Sequence, residues 1–163
     1  IAYRTDYDLK QHAKFSGVDL TYRDPATGNV LVPHVVEPAV GINRLFFMIL
    51  TNAYSEEGER VVLKLKPSLA PYKVAVFPLV ANKEDIVKKA RHIYLGLKLR
   101  LNTVWDDRGN IGKRYYAQDE IGTPWCVTID YEPDSVTVRD RDTTKQERVN
   151  ISRLDSYFSD RLK

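Results

Sequence analysis

The feature that most constrains this chain is a change of hydrophobic period between residues 73 and 101. Residues 73–80 form a nearly unbroken apolar run, as expected of a strand covered on both faces. Directly after it, Ile86, Ala90, Ile93, Leu97 and Leu101 recur at helical spacing, and Val87 and Tyr94 widen the stripe. Asn82 ahead of Asp85 reads as a helix cap with an acidic third position. A buried strand followed by an amphipathic helix is the building unit of a layered α/β sheet. The alternation then continues. Thr103, Val104 and Trp105 predict a second strand, and 111–120 predicts a helix halted by Gly122-Thr123-Pro124. Residues 125–129 predict a third buried strand. Residues 135–139 and 147–151 alternate around Arg141-Asp142-Thr143-Thr144 and predict a hairpin. Leu154, Tyr157, Phe158 and Leu162 predict a closing amphipathic helix. The fold expected over 72–163 is therefore α/β, a five-stranded mixed sheet with three helices.

Upstream, the pattern is less regular. A polar, acidic turn region at 55–59, a short strand beginning at Arg60, and a connector holding Pro67 and Pro71 mark a boundary. The expected organisation is a first segment over 1–60, a linker over 61–71 and the α/β domain over 72–163. Within the first segment, the turn signal at 24–29 joins two extended stretches, the second broken at Pro33. The run 45–50 reads as buried on nearly all sides and, because it continues through Ala53, as a helix. Ile1 opens inside an already patterned segment, which predicts a fragment of a longer chain.

Charge narrows the partners. The net charge is +3. Residues 1–70 carry 8 basic and 8 acidic side chains, and 71–163 carry 17 and 14, so the excess lies in the second part. A mild basic excess permits nucleic-acid binding without demanding it. No apolar run approaches the ~20 residues that cross a bilayer, and residues 1–10 do not read as a signal peptide. The single cysteine, Cys126, excludes an intrachain disulfide, reads as a small buried hydrophobe and suits a reducing compartment. His12, His34 and His92 lack metal-ligand spacing, so no metal site is expected.

Three clusters carry possible chemistry. Gly109-Asn110-Ile111-Gly112-Lys113 fails as a P-loop, because its glycines are too close and no Ser or Thr follows the lysine. It reads instead as a turn opening a helix, flanked by Arg108, Lys113 and Arg114, where an anionic backbone can rest. The stretch 37–44 offers Glu37 and Arg44 across a proline and a glycine. These either grip the two ends of a charged ligand or pair with each other to brace the turn, and spacing alone does not choose. Asp6 and Asp8 would share a face if 5–9 were a strand. Lys88, Lys89, Arg91 and His92 lie off the apolar stripe and read as a solvated face in preference to an RNA-contact face.

The segment His34-Val35-Val36-Glu37-Pro38-Ala39-Val40-Gly41-Ile42-Asn43-Arg44 resembles motif 3 of the dimeric-type glycyl-tRNA synthetases. Residues 1–10 resemble the stretch after motif 2. Residues 64–71, 110–115, 119–124 and 136–143 resemble the linker and anticodon-binding domain of the same family, in the same order. The resemblance implies the end of a class II antiparallel-sheet catalytic domain followed by an anticodon-binding domain. It further implies ATP-dependent activation of glycine, transfer to the glycine tRNA, Mg2+ with the ATP, a homodimer and a cytoplasmic, membrane-free enzyme. By position, Glu37, Pro38, Ala39, Val40 and Gly41 would line the glycine pocket, with Glu37 on the α-amino group. Gly41, Ile42, Asn43 and Arg44 would contact ATP. Three residues depart from the family pattern: Ala39 replaces a serine, Asn43 an aspartate and Tyr3 a smaller polar residue. Motifs 1 and 2 are not recognisable, so the chain alone is expected not to aminoacylate. The candidate tRNA contacts are Asp107, Arg108, Lys113, Arg114, Arg139 and Arg141, with Tyr115 or Tyr116 as a stacking platform and core packing expected for at least one of these tyrosines. The rival expectation is a non-catalytic, synthetase-like nucleic-acid-binding protein.

Overall fold

The structure, a computed structural model, describes residues 1–162. It divides into two compact units, Ile1–Phe46 and Phe47–Lys163. In the first, strand β1 (Ala2–Thr5) leads into helix α1 (Tyr7–Ser16), followed by β2 (Tyr22–Arg23), β3 (Val30–Leu31) and β4 (Val35–Glu37). β1 pairs antiparallel with β4, placing Ala2 opposite Glu37. β2 and β3 form a ribbon over the expected turn, where the Asp24 carboxylate accepts from the Ala26 amide at 2.9 Å and the Thr27 hydroxyl at 2.6 Å. Asp6 and Asp8 do not share a strand face. Thr5 has left-handed backbone (φ 54°), which ends β1 and starts α1, and Gly17 closes that helix at φ 71°. Each aspartate is instead paired four residues along the chain, Asp6 with Lys10 at 2.6 Å and Asp8 with Arg4 at 2.7 Å. Hydrogen bonds from these cations hold both carboxyls below their usual range. No described residue of this unit is buried.

Helix α2 (Ile42–Ala53) spans the division. It forms where the apolar run predicted a helix, but Leu45, Phe46, Phe47 and Met48 stay exposed rather than buried on nearly all sides. An apolar run announces a surface that wants covering and does not say whether the cover belongs to the same chain.

The second unit opens with the hairpin β5 (Tyr54–Glu57) and β6 (Arg60–Leu63), turning at Gly58. The stretch 61–71, expected as a linker, thus contains most of β6, with Val62 fully buried. There follow β7 (Val74–Pro78), α3 (Glu84–Lys98), β8 (Thr103–Trp105), α4 (Ile111–Ile121) and β9 (Trp125–Ile129). The unit closes with β10 (Ser135–Asp140), β11 (Gln146–Asn150) and α5 (Leu154–Arg161). Five strands make one mixed sheet in the order β11-β10-β9-β7-β8. β7 runs parallel to both neighbours, while β9, β10 and β11 are antiparallel in succession. β7 lies inside the sheet, between β9 and β8, and is covered on both faces, which explains its unbroken apolar sequence: Val74, Ala75, Val76 and Phe77 are all fully buried.

Alternate residues of β7 feed opposite faces. Val74 and Val76 pack with Ile86, Ala90, Ile93 and Leu97 of α3 and with Leu154 and Phe158 of α5. Ala75 and Phe77 pack with Cys126, Ile111 and Tyr115 on the α4 side. Burial on that side pushes the Cys126 thiol far up from its ordinary range. Gly122, which ends α4 at φ 87°, is required twice over, because a Cβ there would also lie 2.8 Å from the Leu63 carbonyl oxygen. No described helix is long and apolar enough to cross a membrane.

Candidate nucleic-acid interface

β7, β8 and β9 all end at the same edge of the sheet. The loop after β7 leads to α3 on one face, and the loop after β8 leads to α4 on the other. Adjacent parallel strands whose loops depart to opposite faces leave a crevice between them, the usual ligand position of an open α/β sheet. Here the walls are the loops 79–83 and 106–110. Arg114 holds them together from beneath. Its guanidinium, only 3% exposed, donates to the Pro78 carbonyl at 2.7 Å and, at 3.4 Å, to those of Asp106, Leu79 and Gly109. Its Nε is buried with no partner among the described residues.

The opening is finished by the start of α4. Gly109 takes left-handed backbone (φ 65°), and the Asn110 side chain accepts from the Lys113 amide at 2.9 Å. Arg108 projects outward with its side chain 91% exposed, while the Asp106 carboxylate accepts from its amide at 3.0 Å. Asn82 and Lys83 stand exposed on the first wall. Beyond β9, Tyr131 is 69% exposed. Beside it Arg148 grips Asp130 at 2.6 Å, a hydrogen-bonded pair that holds that carboxyl below its usual range. The rim therefore mixes cations, carboxylates, amides and an aromatic. Such a set reads unpaired bases by directed donors and acceptors, which a uniformly basic wall cannot do.

The six expected RNA contacts do not form one surface. Asp107, Arg108 and Lys113 reach the crevice, with Arg108 and Lys113 exposed. Arg114 braces it from inside. Arg139 and Arg141 lie at the opposite edge, because β10 runs antiparallel to β9 and Asp140 stands beside Trp125. Both are buried in an ionic cluster. Asp119, wholly buried at the end of α4, accepts from Arg139 at 2.8 and 2.9 Å and from Arg60 at 3.1 Å. Arg141 donates to the carbonyls of Gly122 and Leu65, each at 2.8 Å, and pairs with Asp142. Counting charges put Arg114, Arg139 and Arg141 on the RNA. The fold occupies them with carbonyls and a carboxylate instead, and they are corrected to supporting residues. Tyr115 is likewise a core residue, its hydroxyl 2.7 Å from that of Thr128 and its ring against Phe77, whereas Tyr116 is exposed. Lys83 and Tyr131 were given no place at this rim, and Asn82 was expected to cap α3, whose cap position is instead Lys83, without a side-chain bond. Their signal is positional, since each follows a predicted strand that the sheet sets parallel to its neighbour.

In the first unit, Glu37 ends β4 and Arg44 lies in the first turn of α2, both exposed. The two do not pair. Glu37 has Arg4 Nε 3.7 Å away, and Arg4 is itself engaged by Asp8. The Arg44 side chain lies back over Gly41, where an added Cβ would meet it at 3.8 Å. The bracing ion pair is therefore not formed, and the carboxylate and guanidinium remain available to a ligand. Arg4 was not foreseen, because its approach depends on the β1–β4 register.

Residues 73–161 match the family model described as an anticodon binding domain. Across its full length the chain is 50% identical to a glycine–tRNA ligase of Caldanaerobacter subterraneus subsp. tengcongensis. Over 99% of its length it is 47% identical to the glycine–tRNA ligase of Thermobifida fusca and 46% identical to that of Clostridium tetani. It spans 36%, 37% and 36% of those three curated relatives. Among solved structures, the RNA-binding domain of a threonyl-tRNA synthetase from Cryptosporidium parvum Iowa II superposes with a TM-score of 0.54 at 23% identity, covering 60% of this chain and 25% of that one.

Proposed function

Because the chain belongs to the anticodon-binding domain family, we propose that it is part of a glycine–tRNA ligase and that its 79–83/106–113 crevice reads the anticodon of the glycine tRNA. The observation that carries this reading is the crevice itself. It lies at the switch point of the parallel strands, and the loops and helix start that border it carry Asn82, Asp107, Arg108, Asn110 and Lys113. A neutral or acidic side chain beside a phosphate-neutralising lysine suits a splayed base followed by its backbone.

Activation of glycine with ATP and its transfer to tRNA are the work of the full-length protein in this proposal. Within this chain, Glu37 takes the glycine α-amino group in a pocket completed by Pro38, Ala39, Val40 and Gly41, and the absence of a Glu37–Arg44 pair supports that role. Gly41, Ile42, Asn43 and Arg44 face ATP, with Arg44 as the charge that positions the nucleotide. Ala39 offers glycine no side-chain hydrogen bond. Mg2+ accompanies the ATP of the full-length enzyme in the same proposal. The chain alone does not aminoacylate. A homodimeric full-length enzyme, a cytoplasmic location and domains at 1–60 and 72–163 belong to the same proposal.

The test is binding of the chain to glycine tRNA and to an anticodon-swapped version, titrated in salt. Selective loss of affinity on the swap, by roughly tenfold or more for one unsatisfied base contact, is the expected result. Equal affinities with equal salt slopes would mean that only the backbone is recognised.

A further inference from the structure

We infer that the domain carries a second RNA contact outside the crevice, a basic aromatic ledge along edge strand β8 where Arg91, Lys98, Tyr94 and Trp105 hold a nucleotide flanking the anticodon. The inference rests on the domain binding tRNA. β8 ends the sheet and pairs on one side only, with β7. Along its free side runs a groove of about 500 Å³ lined by Tyr72, Tyr94, Lys98, Leu101, Asn102 and Trp105 among others, with no carboxylate. That volume accommodates a nucleotide.

Lys98 of this groove, and Arg91 beside it, sit on rings instead of on acids. The Arg91 guanidinium lies 3.9 Å from the centre of the Trp105 indole, and Lys98 Nζ lies 5.5 Å from that of Tyr94. Tyr94 and Trp105 meet edge to face at 5.8 Å. Neither Arg91 nor Lys98 forms an ion pair among the described residues, whereas Arg100 and Lys88 of the same region do. Aromatic platforms interleaved with unneutralised cations are what single-stranded nucleic acid binds, by stacking and by phosphate contact.

Position joins the ledge to the crevice. Trp105 is the last residue of β8 and immediately precedes the 106–110 wall. Arg91 also borders a hollow of about 430 Å³ together with Ala81 and Asn82 of the other wall and with Glu84, whose carboxylate is paired with Lys88. A strand leaving the crevice past either wall meets Arg91 next. An extended peptide added to β8 is the competing occupant, but it would have a ladder of only three residues to pair with.

The test uses the Arg91→Gln/Lys98→Gln double variant of the full chain, against glycine tRNA and its anticodon-swapped form. Both RNAs should lose about tenfold in affinity near physiological salt, and the magnitude of the log–log salt slope should fall by about 1.4, two single-strand phosphate contacts. The ratio between the two RNAs should not change. RNA should quench the partly exposed Trp105 in the wild type and much less in the double variant, while the emission of buried Trp125 should not respond to RNA; Trp105→Phe removes the response. Wild-type affinity and slope in the double variant overturn the ledge, as does an acidic extended peptide that fills the groove without competing with RNA. Failure of the anticodon reading looks different: the wild type would then bind both RNAs equally while the double variant still lowered the slope.

Discussion

Asp119 is the residue on which the second unit turns. It is fully buried between two guanidinium groups, Arg139 in a two-point grip and Arg60 at 3.1 Å. Removing one member of a buried ionic set leaves the others charged and without water. Asp119→Asn should therefore lower unfolding free energy by about 3–5 kcal/mol, read as a shifted urea midpoint. Asp142→Asn, at a half-exposed carboxylate, should change it by less than about 1 kcal/mol. Equal shifts would show that the cluster adds no more than a surface pair. In sequence these residues were visible only as charges. Arg139 and Arg141 were assigned to RNA because nothing local says that Asp119 and the Leu65 carbonyl come to meet them, 20 and 76 residues away.

At the scale of elements, α4 has two ends with different tasks. Its first turn borders the crevice, and its last turn carries Asp119. Between them Arg114 fastens both crevice loops, and a lysine cannot reproduce that fork of donors. Arg114→Lys should keep the fold, lower its stability by about 1–3 kcal/mol and reduce discrimination between cognate and anticodon-swapped tRNA. Unchanged discrimination in a destabilised variant would separate the bracing from the reading. Elements with a strong period were legible: β7, α3, β8, β9 and the closing hairpin and helix fall within a few residues of expectation. α1 was not, since Tyr7–Ser16 mixes charges with scattered apolar residues and has no buried face. β5 escaped because its half-buried alternation falls on Ser55 and Glu57 rather than on apolar residues. The crevice was half legible. Its helix-opening turn was read from Gly109-Asn110, but its opposite wall needed the strand order.

The whole molecule consists of unequal units. Ile1–Phe46 contains two two-stranded ribbons and a helix without one buried residue, and such pieces are marginal by themselves. Deleting Ile1–Phe46 should leave the main thermal transition of the rest within about 2–4 °C of the full chain, while the isolated segment should show no cooperative transition in circular dichroism. A large loss of melting temperature on deletion would refute the autonomy of the second unit. The sheet order has a consequence for how the protein is made. β7 is an interior strand, yet one of its partners is β9, some fifty residues later, and the face they share is sealed by Phe158 packed on Trp125 at 5.6 Å. Emerging from the ribosome, the nascent chain holds its most apolar strand unpaired on that side until residue 129 is free. It can close the layer over that strand only when the last helix follows. From its own emergence until α5 follows, then, β7 is a segment in need of a chaperone, and synthesis halted before α5 leaves the core open.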